Sequence, residues 1–163
     1  MPQPDVTSPA RTLNLPKWFE LLLFAFCVAN VVWLATALLT GSWLWDTPGR
    51  LISTDFLNVY AAGKFALSGT PVSAYDWPTH KAMEIEVLGY DFKGYYGWHY
   101  PPFYLFVAAA LATLPYAVAH ASWSAISFLP FVAAVRASAA SKAGYLLALS
   151  APALVANVLV GQN

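Results

Sequence analysis

Long uncharged apolar runs flank one mixed segment of the chain. Residues 21–45, 94–135 and 143–163 carry no charged side chain, whereas most of the charge lies between residues 46 and 93. A membrane-spanning helix needs about 20 mainly apolar residues. Residues 18–40 and 144–160 therefore each fit one span. The middle run is punctuated at Pro115. Its second part, 117–135, is long enough to cross and contains Pro130, a site for a kink. Its first part, 101–114, covers only roughly 21 Å at about 1.5 Å per residue, short of a ~30 Å hydrocarbon core.

The mixed segment also shows helical periodicity. Phe56, Val59, Tyr60, Gly63 and Leu67 form one stripe. Ser53 or Asp55 supplies a start signal, and Ser68-Gly69 followed by Pro71 a stop signal. A one-sided apolar stripe beside a span predicts a helix lying in the membrane interface. A second short helix is predicted from Asp76, with Pro78 in its first turn, to near Gly89. Residues 90–100 read as a glycine- and aromatic-rich loop, and residues 1–17 as a polar, proline-bearing tail.

Charge placement selects between two topologies. If 101–114 crosses, there are four spans, and Arg136 and Lys142 share a side with the long loop. If 101–114 dips in and returns, there are three, and Arg136 and Lys142 join Arg11 and Lys17. Short basic loops prefer the cytoplasm, while long loops translocate largely regardless of charge. The rule favours a cytoplasmic tail (1–17), a first transmembrane helix (18–40) and an outer loop (41–116) containing a re-entrant segment (101–114). A second transmembrane helix (117–135), a cytoplasmic loop (136–143), a third transmembrane helix (144–160) and an outer end (161–163) complete the expectation. Arg11 and Lys17 ahead of an apolar run, with Ala35-Thr36-Ala37 in it, also suggest a signal peptide. The run continues to Trp45, longer than a signal core of about 7–15 residues, so it reads as a retained anchor.

Composition agrees. Of 163 residues, 59% are apolar or aromatic and 10% charged, against roughly 45–50% and about 25% in soluble domains. The chain reads as an all-α integral membrane protein. Eight basic against eight acidic residues leave no excess to track nucleic acid. One cysteine, Cys27, excludes a disulfide framework or a cysteine metal cluster, and it packs as a small apolar residue. Asn30, in mid-span, suits a hydrogen bond between helices.

Chemistry must then come from the outer loop. Asp55 is the first candidate, either as a carboxylate working at the lipid–water boundary or as a helix N-cap. Tyr95, Tyr96, Trp98 and Tyr100, with Trp77 nearby, could stack on sugar rings or form an interfacial aromatic belt. His99 could pair with a phosphate, serve as an acid or simply sit on the surface. His80 and His120 show no partner spacing, and no glycine loop matches a phosphate-binding pattern.

Thr54-Asp55-Phe56, Tyr60-Ala61-Ala62-Gly63 and Ala74-Tyr75-Asp76, continued by Tyr100-Pro101-Pro102-Phe103, Leu114-Pro115-Tyr116 and Gly161-Gln162-Asn163, occur in that order. This succession resembles the glycosyltransferase 87 family, which includes mycobacterial polyprenol-phosphate-mannose-dependent mannosyltransferases. The resemblance runs from about Leu15 to the last residue. It implies a GT-C-like multi-span helical bundle in the plasma membrane, with its site at the outer face. It implies transfer of a hexose, mannose first among them, from a polyprenyl-phosphate-sugar donor to a lipid or glycan acceptor. No metal or other cofactor is implied, since a lipid phosphate is already a good leaving group. The family's catalytic base maps to Asp55. Tyr60, His99, Tyr100, Gln162 and Asn163 are the candidate substrate-binding residues, with Lys64 and Lys93 the other local groups able to meet phosphate. Family members are considerably longer, so the chain is expected to be an N-terminal portion, inactive alone. A non-catalytic membrane subunit or transporter fragment is the competing class, marked by ionisable residues within spans. Here only Glu20, at an edge, and His120, near a helix start, come close to that.

Overall fold

The computed structural model describes residues 15–138 and 141–161. Gln162, Asn163 and most of the expected tail lie outside these residues. Helix α1 (Lys17–Thr40) is followed by α2 (Phe56–Leu67), a 3-10 turn (Pro71–Tyr75), α3 (Trp77–Leu88) and α4 (Tyr104–Ala112). Helices α5 (Tyr116–Ser138), α6 (Lys142–Ser150) and α7 (Pro152–Val160) complete the order. Among the described residues the one extended pairing is an antiparallel bridge between Trp45 and Leu51. The described residues are otherwise helical or irregular, as expected of an all-α chain. Helices α1 and α5 are each long and apolar enough to cross a bilayer, and α6 with α7 makes a third such unit, bent by 49°.

The expected single span 144–160 is thus corrected to two helices. Pro152 has no N–H to continue α6, and the residue before a proline is pushed to extended backbone. Ala151 accordingly sits at φ −66°, ψ 117°. The break frees carbonyls at the end of α6. The Asn30 side-chain amide of α1 donates to Leu149 O at 3.0 Å and to Ala151 O at 3.2 Å. Cys27 Sγ lies 3.7 Å from Leu146 O. These contacts make α1 and α6 parallel, and Asn30 is the expected interhelical hydrogen bond. Asn30→Leu should lower stability by about 1 kcal/mol, since hydrogen bonds between membrane helices average below that and reach roughly 1.7. An unchanged melting temperature in detergent micelles would show that the break needs no cap.

Helix α5 runs antiparallel to these two, and Pro130 does not interrupt it. Ser124 Oγ donates to Val158 O at 2.9 Å, and Trp123 Nε1 to Gly161 O at 2.8 Å. The first turn of α5 and the last of α7 therefore share one end. The C-terminal end of α5 meets the start of α6, where Tyr145 OH donates to Arg136 O at 3.3 Å. Arg136, Lys142 and Lys17 consequently gather at the opposite end of the bundle.

The segment between α1 and α5 folds on itself. Trp45 and Leu51 close a turn fastened by Asp46, whose carboxylate accepts from Arg50 N at 2.8 Å and from its guanidinium at 3.0 Å. Helix α2 is the centre of this unit and is buried on more than the one face that the apolar stripe predicts. Leu57, Ala61 and Ala62 are fully buried, as is Phe56. Between Phe56 and Leu67 only Asn58 and Lys64 interrupt small or apolar residues, and a helix apolar all round belongs inside. Leu67, assigned to the apolar stripe, is instead 51% exposed.

Helix α4 covers α2 at very close range, because Gly63 has no side chain. A Cβ there would lie 2.1 Å from Ala108 O. Nine residues make α4 roughly 13 Å long, too short to cross a bilayer. Helix α3 forms as expected from its local signals. Asp76 accepts from Thr79 N at 3.1 Å at the N-cap, Pro78 lies in the first turn, and Gly89 ends it at φ +78°.

Candidate functional site

The start of α2 is where the distant segments meet. Thr54 and Phe56 are buried, and Asp55 between them is half-buried. Asp55 occupies the cap position with φ −60° and ψ −27°, but its side chain makes no capping hydrogen bond. Ser53 is drawn instead to the aromatic loop, its carbonyl accepting from Tyr96 OH at 3.2 Å. The capping alternative for Asp55 is therefore not the one realised. Its carboxylate is left for other work.

The Phe56 ring stacks parallel on His120 of α5, with centroids 4.8 Å apart and planes at 6°. It also meets Tyr116 at 5.5 Å and Trp123 at 6.3 Å. Trp43 closes the far side of His120 at 5.1 Å. Gly161 fits into this cluster with φ +66°, and a Cβ on it would fall 2.7 Å from Phe56 Cβ and 2.9 Å from His120 Nε2. Glycine is required there on both counts. Gly161 thus brings the end of α7 against the residue next to Asp55. Gln162 and Asn163 lie outside the described residues.

Tyr60 is placed in the core. It is 6% exposed, and its hydroxyl donates to Leu114 O at 2.8 Å, pinning α2 to the α4–α5 junction. Lys64 Nζ lies 5.2 Å from the centroid of the Tyr60 ring. Tyr100 stacks on Tyr104 at 4.8 Å, and its carbonyl accepts from Tyr75 OH at 3.0 Å. Four of the six motifs meet directly, Phe56 contacting Tyr60, Tyr116 and Gly161, whereas Tyr75 and Tyr100 pair with each other. Around the same point Asn58 Oδ1 and both His120 ring nitrogens are buried without hydrogen-bond partners among the described residues, while the buried hydroxyls of Thr54 and Tyr116 lie close enough to interact with each other. Such groups are costly in isolation and mark a place built to meet polar atoms.

The aromatic loop divides into a core half and a surface half. Trp98 is 3% exposed and packs on Tyr100 and Tyr104. Trp77 is 59% exposed, pairs with Tyr95 at 4.7 Å and meets His99 edge-on at 6.4 Å. Of the candidates for stacking, Trp77 is open to solvent, whereas Trp98 is committed to packing; His99, the candidate for phosphate pairing, is exposed.

Sequence reasoning missed the pair His80 and Glu84, whose i,i+4 spacing on α3 was the available signal. Both are fully buried, with His80 Nε2 3.8 Å from Glu84 Oε1. Neither makes a well-formed side-chain hydrogen bond among the described residues, although the Ala74 and Tyr96 backbones lie close enough to bias their titration. Burial pushes His80 down to about 4, against a smaller opposing effect of the Ala74 backbone. Burial pushes Glu84 up to about 7, opposed by the Tyr96 backbone and by Lys81. The neighbouring Lys81 donates to Phe92 O at 3.0 Å and Gly94 O at 2.8 Å, tying the loop to α3.

For Glu84 a raised folded value means that its stabilising share is complete below 4.5, its ordinary value, and lost as pH rises through about 7. Gln at this position carries no charge at any of these values. Glu84→Gln should therefore raise stability by on the order of 2 kcal/mol at pH 8 and by little near pH 4.5. The check is apparent melting temperature at the two pH values. An equal effect at both would mean that Glu84 does not titrate in the folded protein.

Comparison with protein families, characterised proteins and solved structures gave no match to this chain.

Proposed function

We propose that the chain is the N-terminal part of a membrane glycosyltransferase that moves a hexose from a polyprenyl-phosphate donor to a lipid or glycan acceptor. The supporting observation is the convergence on the start of α2. Six short segments that together resemble the glycosyltransferase 87 family are scattered between residues 54 and 163, and four of them meet at Phe56, the residue after Asp55. A carboxylate free of capping duty, next to buried polar groups seeking partners, suits proton removal from an acceptor hydroxyl. The hydroxyl attacks the anomeric carbon as the bond to the lipid phosphate breaks, and Asp55 receives the proton. Charge developing on the leaving phosphate needs hydrogen-bond donors or cations, for which His99, Lys64 and Lys93 are the local groups.

The orientation follows from charge. With Lys17, Arg136 and Lys142 at one end of the bundle, the positive-inside rule puts that end in the cytoplasm of a plasma membrane and the Asp55 end outside. In a Cys27→Ala background, single cysteines at Ser73 and Ser138 should react with an impermeant thiol reagent from opposite sides. Labelling of both from outside would mean that α4 crosses. The activity itself is tested with membranes containing the full-length protein. Label supplied as polyprenyl-phosphate-mannose should pass to an extractable lipid or glycan, and its absence with every hexose donor would remove the reading.

A further inference from the structure

The bundle end remote from Asp55 has a feature that sugar transfer does not use. Helices α1 and α6 both begin there, and between their first turns lies a crevice of about 310 Å³. It is lined by Lys17, Glu20, Leu21 and Phe24 from α1 and by Lys142 and Leu146 from α6. Arg136 ends α5 beside the same turn of α6. Two cations from two helices, Lys17 and Lys142, therefore share the crevice with Glu20. Among the described residues no ion pair joins Lys17 or Lys142 to Glu20.

The crevice is layered. Lys17 and Lys142 are exposed at its mouth, and Leu21, Phe24 and Leu146 follow one or two turns deeper. Leu21 is 69% and Phe24 58% exposed, so the deeper wall presents uncovered hydrocarbon. Charge above and hydrocarbon below is the profile of one phospholipid at a membrane surface. We propose that this crevice binds an anionic phospholipid, its phosphate between Lys17 and Lys142 and one acyl chain along Leu21, Phe24 and Leu146.

The two lysines decide the headgroup. A zwitterionic lipid brings its own cation to a mouth that is already positive, whereas an anionic one meets, among the described residues of the lining, only Glu20 as an opposing charge. Long lysine stems can follow an apolar wall and keep their ammonium groups at headgroup level. Basic pockets between membrane helices at the cytoplasmic side suit such headgroups. A free phosphate would use the lysines and leave the apolar wall idle. The inference needs α1 and α6 to lie in a bilayer and does not depend on the sugar-transfer reading.

The test is native mass spectrometry of the full chain in neutral detergent, titrated with phosphatidylglycerol, phosphatidylcholine or inorganic phosphate. Phosphatidylglycerol should bind at least tenfold more tightly than phosphatidylcholine. Each lysine near an anionic group is worth about fivefold. Lys17→Gln with Lys142→Gln should then weaken phosphatidylglycerol binding by on the order of 20-fold and abolish the headgroup preference. Lys17→Arg with Lys142→Arg should keep it, which separates loss of charge from loss of folding. Glu20→Gln should tighten binding a few-fold. Equal retention of the two lipids, an unchanged preference in the double glutamine variant, loss of binding in the double arginine variant, or displacement of the lipid by inorganic phosphate would each overturn the proposal.

Discussion

Asp55→Asn should reduce sugar transfer by the full-length protein by a factor on the order of 100 or more, while leaving insertion and stability near normal. Removing a general base costs roughly 100- to 10,000-fold. The asparagine keeps the size of the side chain and loses only the ability to take a proton. Stability should hold because the Asp55 side chain makes no capping bond that asparagine could break, and substitutions of this kind usually stay within about 0.5 kcal/mol. Asp76 is the matched control. It stands at the start of α3 and does cap, accepting from Thr79 N at 3.1 Å. Asp76→Asn should therefore keep most activity. Equal losses in the two variants would point to a shared structural effect and remove Asp55 from the chemistry.

Gly63→Ala should be the most destabilising single methyl in the segment between α1 and α5. The added carbon would sit 2.1 Å from Ala108 O, 2.6 Å from Ala108 C and 2.7 Å from Ala112 Cβ. The first two are backbone atoms and cannot rotate aside, so α4 must move away from α2 as a body. Overpacking of this sort costs about 3 kcal/mol or more where backbone has to shift. Moving α4 also draws Leu114 from the Tyr60 hydroxyl, so transfer should fall together with stability. Gly69→Ala is the comparison. Its φ of +78° is unfavourable for alanine, yet a Cβ there meets nothing within 4 Å, and the cost should stop at about 1–2 kcal/mol. Proteolytic resistance of the segment between α1 and α5 reports both. A Gly63→Ala protein as resistant as the parent would contradict the close contact of α2 and α4.

Much of this was legible where the signal is local. The length and apolarity of α1 and α5 announced two spans, and Asp76, Pro78 and Gly89 marked both ends of α3 through the groups that helix termini must satisfy. What was misread depended on tertiary context. The stripe Phe56, Val59, Tyr60, Gly63 and Leu67 suggested one buried face, but Leu57, Ala61, Ala62 and Phe65 are buried too. A period of 3.6 identifies a helix without saying how many neighbours surround it. Two signals were present and overlooked: Pro152 inside the last apolar run, and the four-residue spacing of His80 and Glu84. For the candidate site, the order of the motifs could be read from the chain, whereas the stacking of His120 on Phe56 could not. His120 lies 64 residues away by numbering, and nothing in its surroundings along the chain names its partner.

The anomeric configuration of the sugar in the product tests the proposed reaction most directly. Attack by an acceptor hydroxyl activated at Asp55, with the lipid phosphate leaving from the opposite face, is a single displacement and must invert the anomeric carbon. The measurement is a proton–carbon coupling spectrum of the isolated glycan or glycolipid formed from a polyprenyl-phosphate hexose of known configuration. Single displacement at Asp55 predicts a product of opposite anomeric configuration, and a yield of it lowered by a factor on the order of 100 or more in the Asp55→Asn protein. A product that retains the donor's configuration would require two displacements through a covalent intermediate and would contradict Asp55 as a base.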